Sequence, residues 1–441
     1  MSTLLISNVQ IVNEGLIQEA DVFINGGRIE RIGSDLNHLH AAQIIDGNGK
    51  FLIPGMIDAQ SKMSQASHLA RGIRSESKAA VAGGITSNFL ISTIPSASDP
   101  TNPSSIQRKA ESYCNYSYYF QAQESNLSEL SCLDVTQFCG ISVDMSSNVN
   151  AMRLDAPDLL RQCLEDSSIL VAVQAEDAPT IFESEESYRQ IYGDEIPFHL
   201  HGSIRGSEAC FLAARDVLQQ AVKAGQNIHL FNVSSVNEIE LLSRMRQKSA
   251  FISADVSSHY LTFSDVDYAE RGGLLKCRPA IKSDIDRAAL MQGLLDNDID
   301  SINSGHIPIS FESKQGCYFD VPFGLPSAQF ALASLLEHFQ DQILSLETIV
   351  AKTSHNVADR FGVVDRGYIR EGYWADLVML DLDGSFIARD EDVLSEAGWT
   401  IFNGNEFRSS VHTTIVNGVV VWSDGVIKSL KGQGEFIDFS H

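Results

Sequence analysis

Short apolar runs open the chain. Leu4-Leu5-Ile6 and Val9-Gln10-Ile11-Val12 are β-rich, and Ala20-Asp21-Val22-Phe23-Ile24 alternates. Asn25-Gly26-Gly27 then supplies turn residues before Arg28-Ile29-Glu30-Arg31-Ile32. Alternation of period two, broken by Asn-Gly and Gly-Gly punctuation, predicts strands joined by tight hairpins. The far end of the chain repeats the pattern. Gly372 to Leu380 reads as a turn and a strand, Val411 to Val416 as a strand, Asn417-Gly418 as a hairpin turn and Val419 to Trp422 as the returning strand. Two β segments at opposite ends predict one small sheet domain assembled from both termini.

Between them, from about Ile53 to Phe361, the period changes. Runs such as Ile169 to Val173, Ile228 to Phe231 and Ala250 to Ala254 are mostly apolar, as strands buried on both faces tend to be. They alternate with helical stretches: Ser75 to Ala82, Gly206 to Ala224 and Val236 to Gln247. Repeated β-α alternation predicts a parallel sheet, and a (β/α)8 barrel takes about 250 residues. The expected architecture is α/β: a TIM-type barrel over 53–364, with a small β-sandwich domain from 1–52 and 365–441. There are no internal repeats or low-complexity segments.

Charge narrows the function classes. The 441 residues carry 57 acidic and 32 basic side chains, a formal net charge of −25. A nucleic-acid binder needs a basic face, so no nucleic-acid partner is expected. No apolar run approaches the roughly 20 residues that span a bilayer, and Met1 to Gln10 lacks a signal-peptide pattern. The reading is a cytoplasmic protein with no membrane partner. Seven cysteines, scattered and never spaced CxxC, read as reduced and mostly buried thiols. No Gly-x-Ser-x-Gly elbow and no Gly-rich phosphate loop is present.

Several phrases carry candidate chemistry. Residues 51–58 read Phe-Leu-Ile-Pro-Gly-Met-Ile-Asp, residues 75–87 Ser-Glu-Ser-Lys-Ala-Ala-Val-Ala-Gly-Gly-Ile-Thr-Ser, and residues 276–282 Lys-Cys-Arg-Pro-Ala-Ile-Lys. Gly324-Leu325-Pro326, Lys352 to Ala358 and Gly367 to Asp376 follow. Together these resemble the dihydroorotase family of the amidohydrolase superfamily over nearly the whole chain. The resemblance implies a barrel of the metal-dependent hydrolase type with two zinc ions at its C-terminal end. It also implies conversion between carbamoyl-aspartate and dihydroorotate by a metal-bound hydroxide, since a metal brings the pKa of water down to about 7.

The positions that should hold those metals are changed. The resemblance places four histidine ligands at Gln60, Lys62, Gln174 and Asn232, the carboxylated lysine at Ser142 and the catalytic aspartate at Gly305. An amide is a poor zinc ligand, and a protonated lysine repels a cation. Substrate contacts are altered too: Ser64 stands for an arginine, Thr93 and Arg278 for asparagines, and Ile309 for a histidine. The expectation is an inactive dihydroorotase-like homologue with no cofactor.

The remaining polar residues admit two readings each. Lys62 could replace the metal charge, pair with Asp144, Glu176 or Asp255 and bind an anion; the preferred reading is a tolerated lysine neutralised by carboxylates. His306 reads as a packing histidine, and His259 with Asp255 as an incomplete metal set. Glu176 and Arg278 are expected at the barrel mouth. His38-Leu39-His40 and His199-Leu200-His201 are expected in surface loops. By analogy with inactive dihydroorotase-like chains that assemble with aspartate transcarbamoylase, the leading expectation is a homodimeric scaffold or regulatory partner in pyrimidine biosynthesis. An anionic small-molecule binder and an active cyclic amidohydrolase with a rebuilt site stand as alternatives.

Overall fold

The computed structural model describes residues 3–63, 69–91, 111–146, 156–166 and 168–441. Ser64 and Thr93 lie outside them. The chain divides into two compact units: one of 1–90, 99–117 and 327–440, the other of 91–98, 118–326 and residue 441.

The termini do build one sheet. β1 (Thr3–Asn13), β2 (Leu16–Asn25), β3 (Arg28–Gly33), β4 (Gln43–Asp46) and β5 (Phe51–Pro54) come from the N-terminal end. The two runs expected as separate strands, Leu4–Ile6 and Val9–Val12, are halves of β1. Its pairing with β2 shifts register between Ile6 and Val9. Asn8 there adopts a left-handed φ of 56°, which asparagine tolerates. Its N–H is satisfied by Asp21 Oδ1 at 2.9 Å. The bulge also changes partners along one edge: Leu4 to Ser7 pair with β4, and Gln10 and Ile11 pair with β5.

Eight strands follow: β6 (Met56–Ser61), β7 (Ile85–Leu90), β8 (Asn115–Gln121), β9 (Phe138–Asp144), β10 (Val171–Gln174), β11 (Ile228–Phe231), β12 (Ile252–Ser257) and β13 (Ser301–Asn303). They lie side by side in sequence order in one sheet. Helices recur between them, among them Leu69–Ala82, Ser207–Ala224 and Val236–Arg246. This is the strand order of a (β/α)8 barrel. Gly225, at a left-handed φ of 67°, ends the 207–224 helix.

The C-terminal end contributes β14 (Leu377–Asp381), the ribbon of β15 (Phe386–Ile387) with β16 (Glu406–Phe407), then β17 (Ser410–Val416), β18 (Val419–Ser423) and β19 (Val426–Ile427). β14 pairs antiparallel with β5, so the terminal sheet runs β19-β18-β17-β14-β5-β1-β2-β3, with β4 beside β1. Its core joins both ends of the sequence: Leu4, Ile6, Ile11, Val22 and Leu52 pack with Leu377, Met379 and Ile415. Asn417-Gly418 makes the expected hairpin turn, Asn417 at φ 49° and Gly418 at φ 75°.

Candidate functional site

The register of the parallel strands sorts their residues onto two faces. Val171, Val173, Ile228, Leu230, Ile252, Ala254, Val256 and Ile302 share one face, all apolar and buried. The other carries Tyr119 and Gln121 of β8, Ser142 and Asp144 of β9, Gln174 of β10, His229 and Phe231 of β11, Ser253, Asp255 and Ser257 of β12, and Asn303 of β13. Hydroxyls, amides and acids thus sit toward the C-terminal ends of these strands, where barrel chemistry is built. Apolar strand runs hid this face, because only one or two polar residues interrupt each run.

Near the centre of these strands the polar groups are matched. His229 Nε2 meets Asp255 Oδ2 at 3.1 Å, and its Nδ1 meets Ser253 Oγ at 2.8 Å; the imidazole and the carboxylate are fully buried. Asp255 Oδ1 accepts the Asn232 N–H at 2.6 Å, helping to hold Asn232 in its left-handed φ of 54°. Asp255 was expected at a pocket; it spans β11 and β12 instead.

Toward the strand ends a chain of neutral groups begins. Asn232 Nδ2 donates to Gln174 Oε1 at 3.2 Å. Ser257 Oγ lies 2.5 Å from both Asn232 Oδ1 and Asn303 Oδ1. One hydroxyl carries one proton, so only one of those two amides can present oxygen to it. Turning the Asn303 amide sets its NH2 on Ser257 and leaves its oxygen, rather than Nδ2, without a partner. In either orientation one atom of that amide is unmatched. Among the described residues, Gln174 Nε2 and Ser142 Oγ also lack a hydrogen-bond partner, although Gln174 is 7% and Ser142 5% exposed. His259, 3% exposed, makes no well-formed hydrogen bond through either ring nitrogen. Burial pushes its pKa down to about 3, so the ring is neutral at any ordinary pH.

The other expected residues differ in setting. Arg278, at the rim, donates to Asp144 Oδ2 at 2.7 Å and to Ser146 Oγ at 3.1 Å. Glu176, expected at the barrel mouth, is fully buried in a bidentate pair with Arg205, 3.0 Å to each oxygen. Arg205 is 29 residues away in sequence, so no local signal exposed it. His306 is buried, its N–H on Ser304 Oγ, and Ile309 is buried beside Gly324. Gln60, the fifth residue of β6, and Lys62 just beyond it are half-buried.

One surface histidine is a correction. His38 and His40 are exposed, but His201 is completely buried. Its Nε2 meets the Cys277 carbonyl at 2.7 Å and its Nδ1 meets the Tyr318 hydroxyl at 2.8 Å. A carbonyl only accepts, so Nε2 carries the proton and Nδ1 accepts from Tyr318. Sequence spacing could not separate it from a loop histidine, because Tyr318 lies far along the chain.

The donor set does not fit the two-metal centre implied by the resemblance. Its positions offer amides, a hydroxyl, an ammonium and, at 305, no side chain. A Cβ added at Gly305 would stand 2.5 Å from Ser257 Oγ and 2.6 Å from His259 Cε1. The space an aspartate would need is filled by those two side chains.

Comparison with known proteins agrees with this frame. A profile described as "Amidohydrolase family" matches residues 338–422. The chain is 25% identical to a dihydroorotase of Lactobacillus gasseri over 431 residues, covering 96% of this chain and 99% of the relative. It is 27% identical to one of Ligilactobacillus salivarius over 428 residues, covering 95% and 98%. Among solved structures, the L-hydantoinase (dihydropyrimidinase) from Arthrobacter aurescens superposes with a TM-score of 0.91 at 21% identity, over 99% of this chain and all of the other. The dihydropyrimidinase from Brevibacillus agri NCHU1002 gives 0.89 at 20%, over 99% of each. At that identity the structural likeness speaks for the fold: a TIM-type barrel with a β-rich domain. Taken with the phrases at 51–58, 75–87 and 276–282, the full-length matches make this chain a dihydroorotase-like homologue of the amidohydrolases.

Proposed function

We propose that this chain keeps the frame of a cyclic amidohydrolase but does not run the metal-hydroxide reaction, acting as a binding or scaffold protein. The observation that carries the reading is the crowding at Gly305, where Ser257 and His259 stand in the space of the implied aspartate. The loss of donor chemistry at Gln60, Lys62, Ser142, Gln174 and Asn232 points the same way. Purified protein expressed with added zinc tests it. The expected result is less than about a tenth of an equivalent of zinc by mass spectrometry and no turnover of dihydroorotate. One or two tight equivalents with turnover sinks the proposal.

A second reading, an active cyclic amidohydrolase with a rebuilt centre, draws more direct support from the comparisons. The chain aligns end to end with proteins named dihydroorotase. Turnover of a cyclic amide other than dihydroorotate, abolished by chelation, would establish it.

The scaffold role, a homodimeric cytoplasmic partner of aspartate transcarbamoylase or another pyrimidine-pathway enzyme, rests on analogy with the dihydroorotase family. Among the described residues no helix is long and apolar enough to cross a membrane. Recovery of the chain from native lysate without any pyrimidine enzyme, at every salt concentration, argues against it. An anionic ligand is less well served, because the Arg278 guanidinium is already engaged by Asp144.

A further inference from the structure

Native interiors rarely leave buried polar atoms unmatched, and each such atom asks for an explanation. Here they cluster. Among the described residues, Ser142 Oγ, Gln174 Nε2 and one atom of the Asn303 amide lack partners while their residues are at least nine-tenths buried. Gln174 and Asn303 belong to one hydrogen-bonded chain through Asn232 and Ser257. Ser142 lies one pleat below, on the adjacent strand and the same face as Gln174. All three stand at or near the C-terminal ends of strands, within one compact unit.

The chemistry of this lining is specific. The unmatched groups are an amide NH2, a hydroxyl and an amide, all neutral. His259, beside Ser257 across Gly305, is neutral as well. Arg278, the cation paired with Asp144 two residues beyond Ser142 on the same strand, already has its charge matched. A carboxylate entering here would lose its hydration against neutral partners, which is costly. An uncharged carbonyl with neighbouring N–H groups would accept from Gln174 and satisfy either orientation of Asn303 and Ser142.

We propose that Ser142, Gln174 and Asn303 form a metal-free binding site for a small uncharged amide, and that this site discriminates against the carboxylated counterpart of the same ring. The inference rests on the non-hydrolytic reading above and deepens it by naming the ligand class. It departs from the carboxylated substrate that the resemblance implies.

A matched pair of rings tests it. Dihydrouracil is uncharged, and dihydroorotate is the same ring bearing a carboxylate. Calorimetric titration of the full chain should give saturable binding of dihydrouracil and at least about tenfold weaker binding of dihydroorotate. The double variant Ser142→Ala, Gln174→Leu should lose about tenfold or more of the dihydrouracil affinity, with circular dichroism verifying its fold. Equal or tighter binding of dihydroorotate overturns the proposal, as does no saturable binding of dihydrouracil. Binding of the polyol myo-inositol in its place also overturns it, by assigning the site to hydroxyl ligands. The comparison of the two rings on the unmodified chain stands even if the variant misfolds. Carbamoyl-aspartate appearing in the dihydroorotate titration would instead refute the non-hydrolytic reading, a separate outcome.

Discussion

Two buried polar regions in this protein obey opposite rules. In the unit that contains the terminal sheet, Asp376 receives Arg366, the Asn115 Nδ2 at 3.0 Å and the Asn417 N–H at 2.8 Å. Asn417 Nδ2 reaches Asn115 Oδ1 at 2.7 Å and the Gln433 carbonyl at 2.8 Å, and the Glu435 N–H also lands on Asn115 Oδ1. His355 in the same unit accepts the Glu14 N–H at 2.9 Å through Nε2, so its Nδ1 donates to the Gly367 carbonyl at 2.9 Å. Each of these side chains is partnered. Around Gln174, Ser142 and Asn303 the groups are as buried but unmatched. A saturated network ties chain segments distant in sequence. An unsaturated one stores binding capacity at the expense of stability.

The comparison is tested most severely at Asp376. Asp376→Ala leaves the buried Arg366 without its carboxylate, and breaking a buried pair this way costs about 3–5 kcal/mol. A denaturant midpoint shift of that size is expected; a loss below about 1 kcal/mol would mean the network is ornamental.

Gly305→Ala comes next. The residue sits at φ +63°, and the new methyl meets Ser257 and His259. Overpacking of this kind costs about 1–3 kcal/mol. Chemical denaturation measures it. A neutral result would mean that Ser257 and His259 can withdraw, and that the crowding is no obstacle to an aspartate there.

Acid sets the third contrast. His259 has a folded pKa of about 3 against an ordinary value near 6.5, so below that value the unfolded chain takes up the proton first. Stability is unaffected by this group above the ordinary value and is lost as pH falls from there toward 3, by about 1.4 kcal/mol per pH unit. Burial also holds His201 well below its ordinary value, and it adds in the same direction. His259→Gln should therefore remove one proton's worth of slope between pH 6 and 5 and leave the contribution of His201. An unchanged slope would show that the ring of His259 is protonated in the folded protein.

What could be read in advance follows the same divide. The strands of the terminal sheet and the β-α alternation were legible because period-two patterning and turn glycines are local signals. The resemblance to dihydroorotases was legible because the phrases that carry it are contiguous in sequence. Ser257 and Asn303 were missed, although each is the last residue of a parallel strand. Their role depends on register across β12 and β13, which no local pattern encodes. Arg205 was missed as the partner of Glu176, and Tyr318 as the partner of His201, for the same reason.

The smallest expected effect separates the two regions most cleanly. Ser354 and Ser142 are both buried serines. Ser354 Oγ lies 3.0 Å from the Gly55 carbonyl and 3.3 Å from that of Pro54, whereas Ser142 Oγ has no partner among the described residues. Removing a made hydrogen bond and leaving its acceptor buried costs about 1 kcal/mol, while removing an unmatched hydroxyl from the interior relieves a desolvation penalty. Ser354→Ala should thus destabilise by about 1 kcal/mol, and Ser142→Ala should be neutral or stabilise by a few tenths. Paired urea titrations resolve a difference of this size. Equal losses would mean that an ordered water already satisfies Ser142, and the unmatched lining would then be ordinary hydrated interior. Opposite signs would leave the hydroxyl as a group retained against stability, which is what a ligand contact at the end of β9 requires.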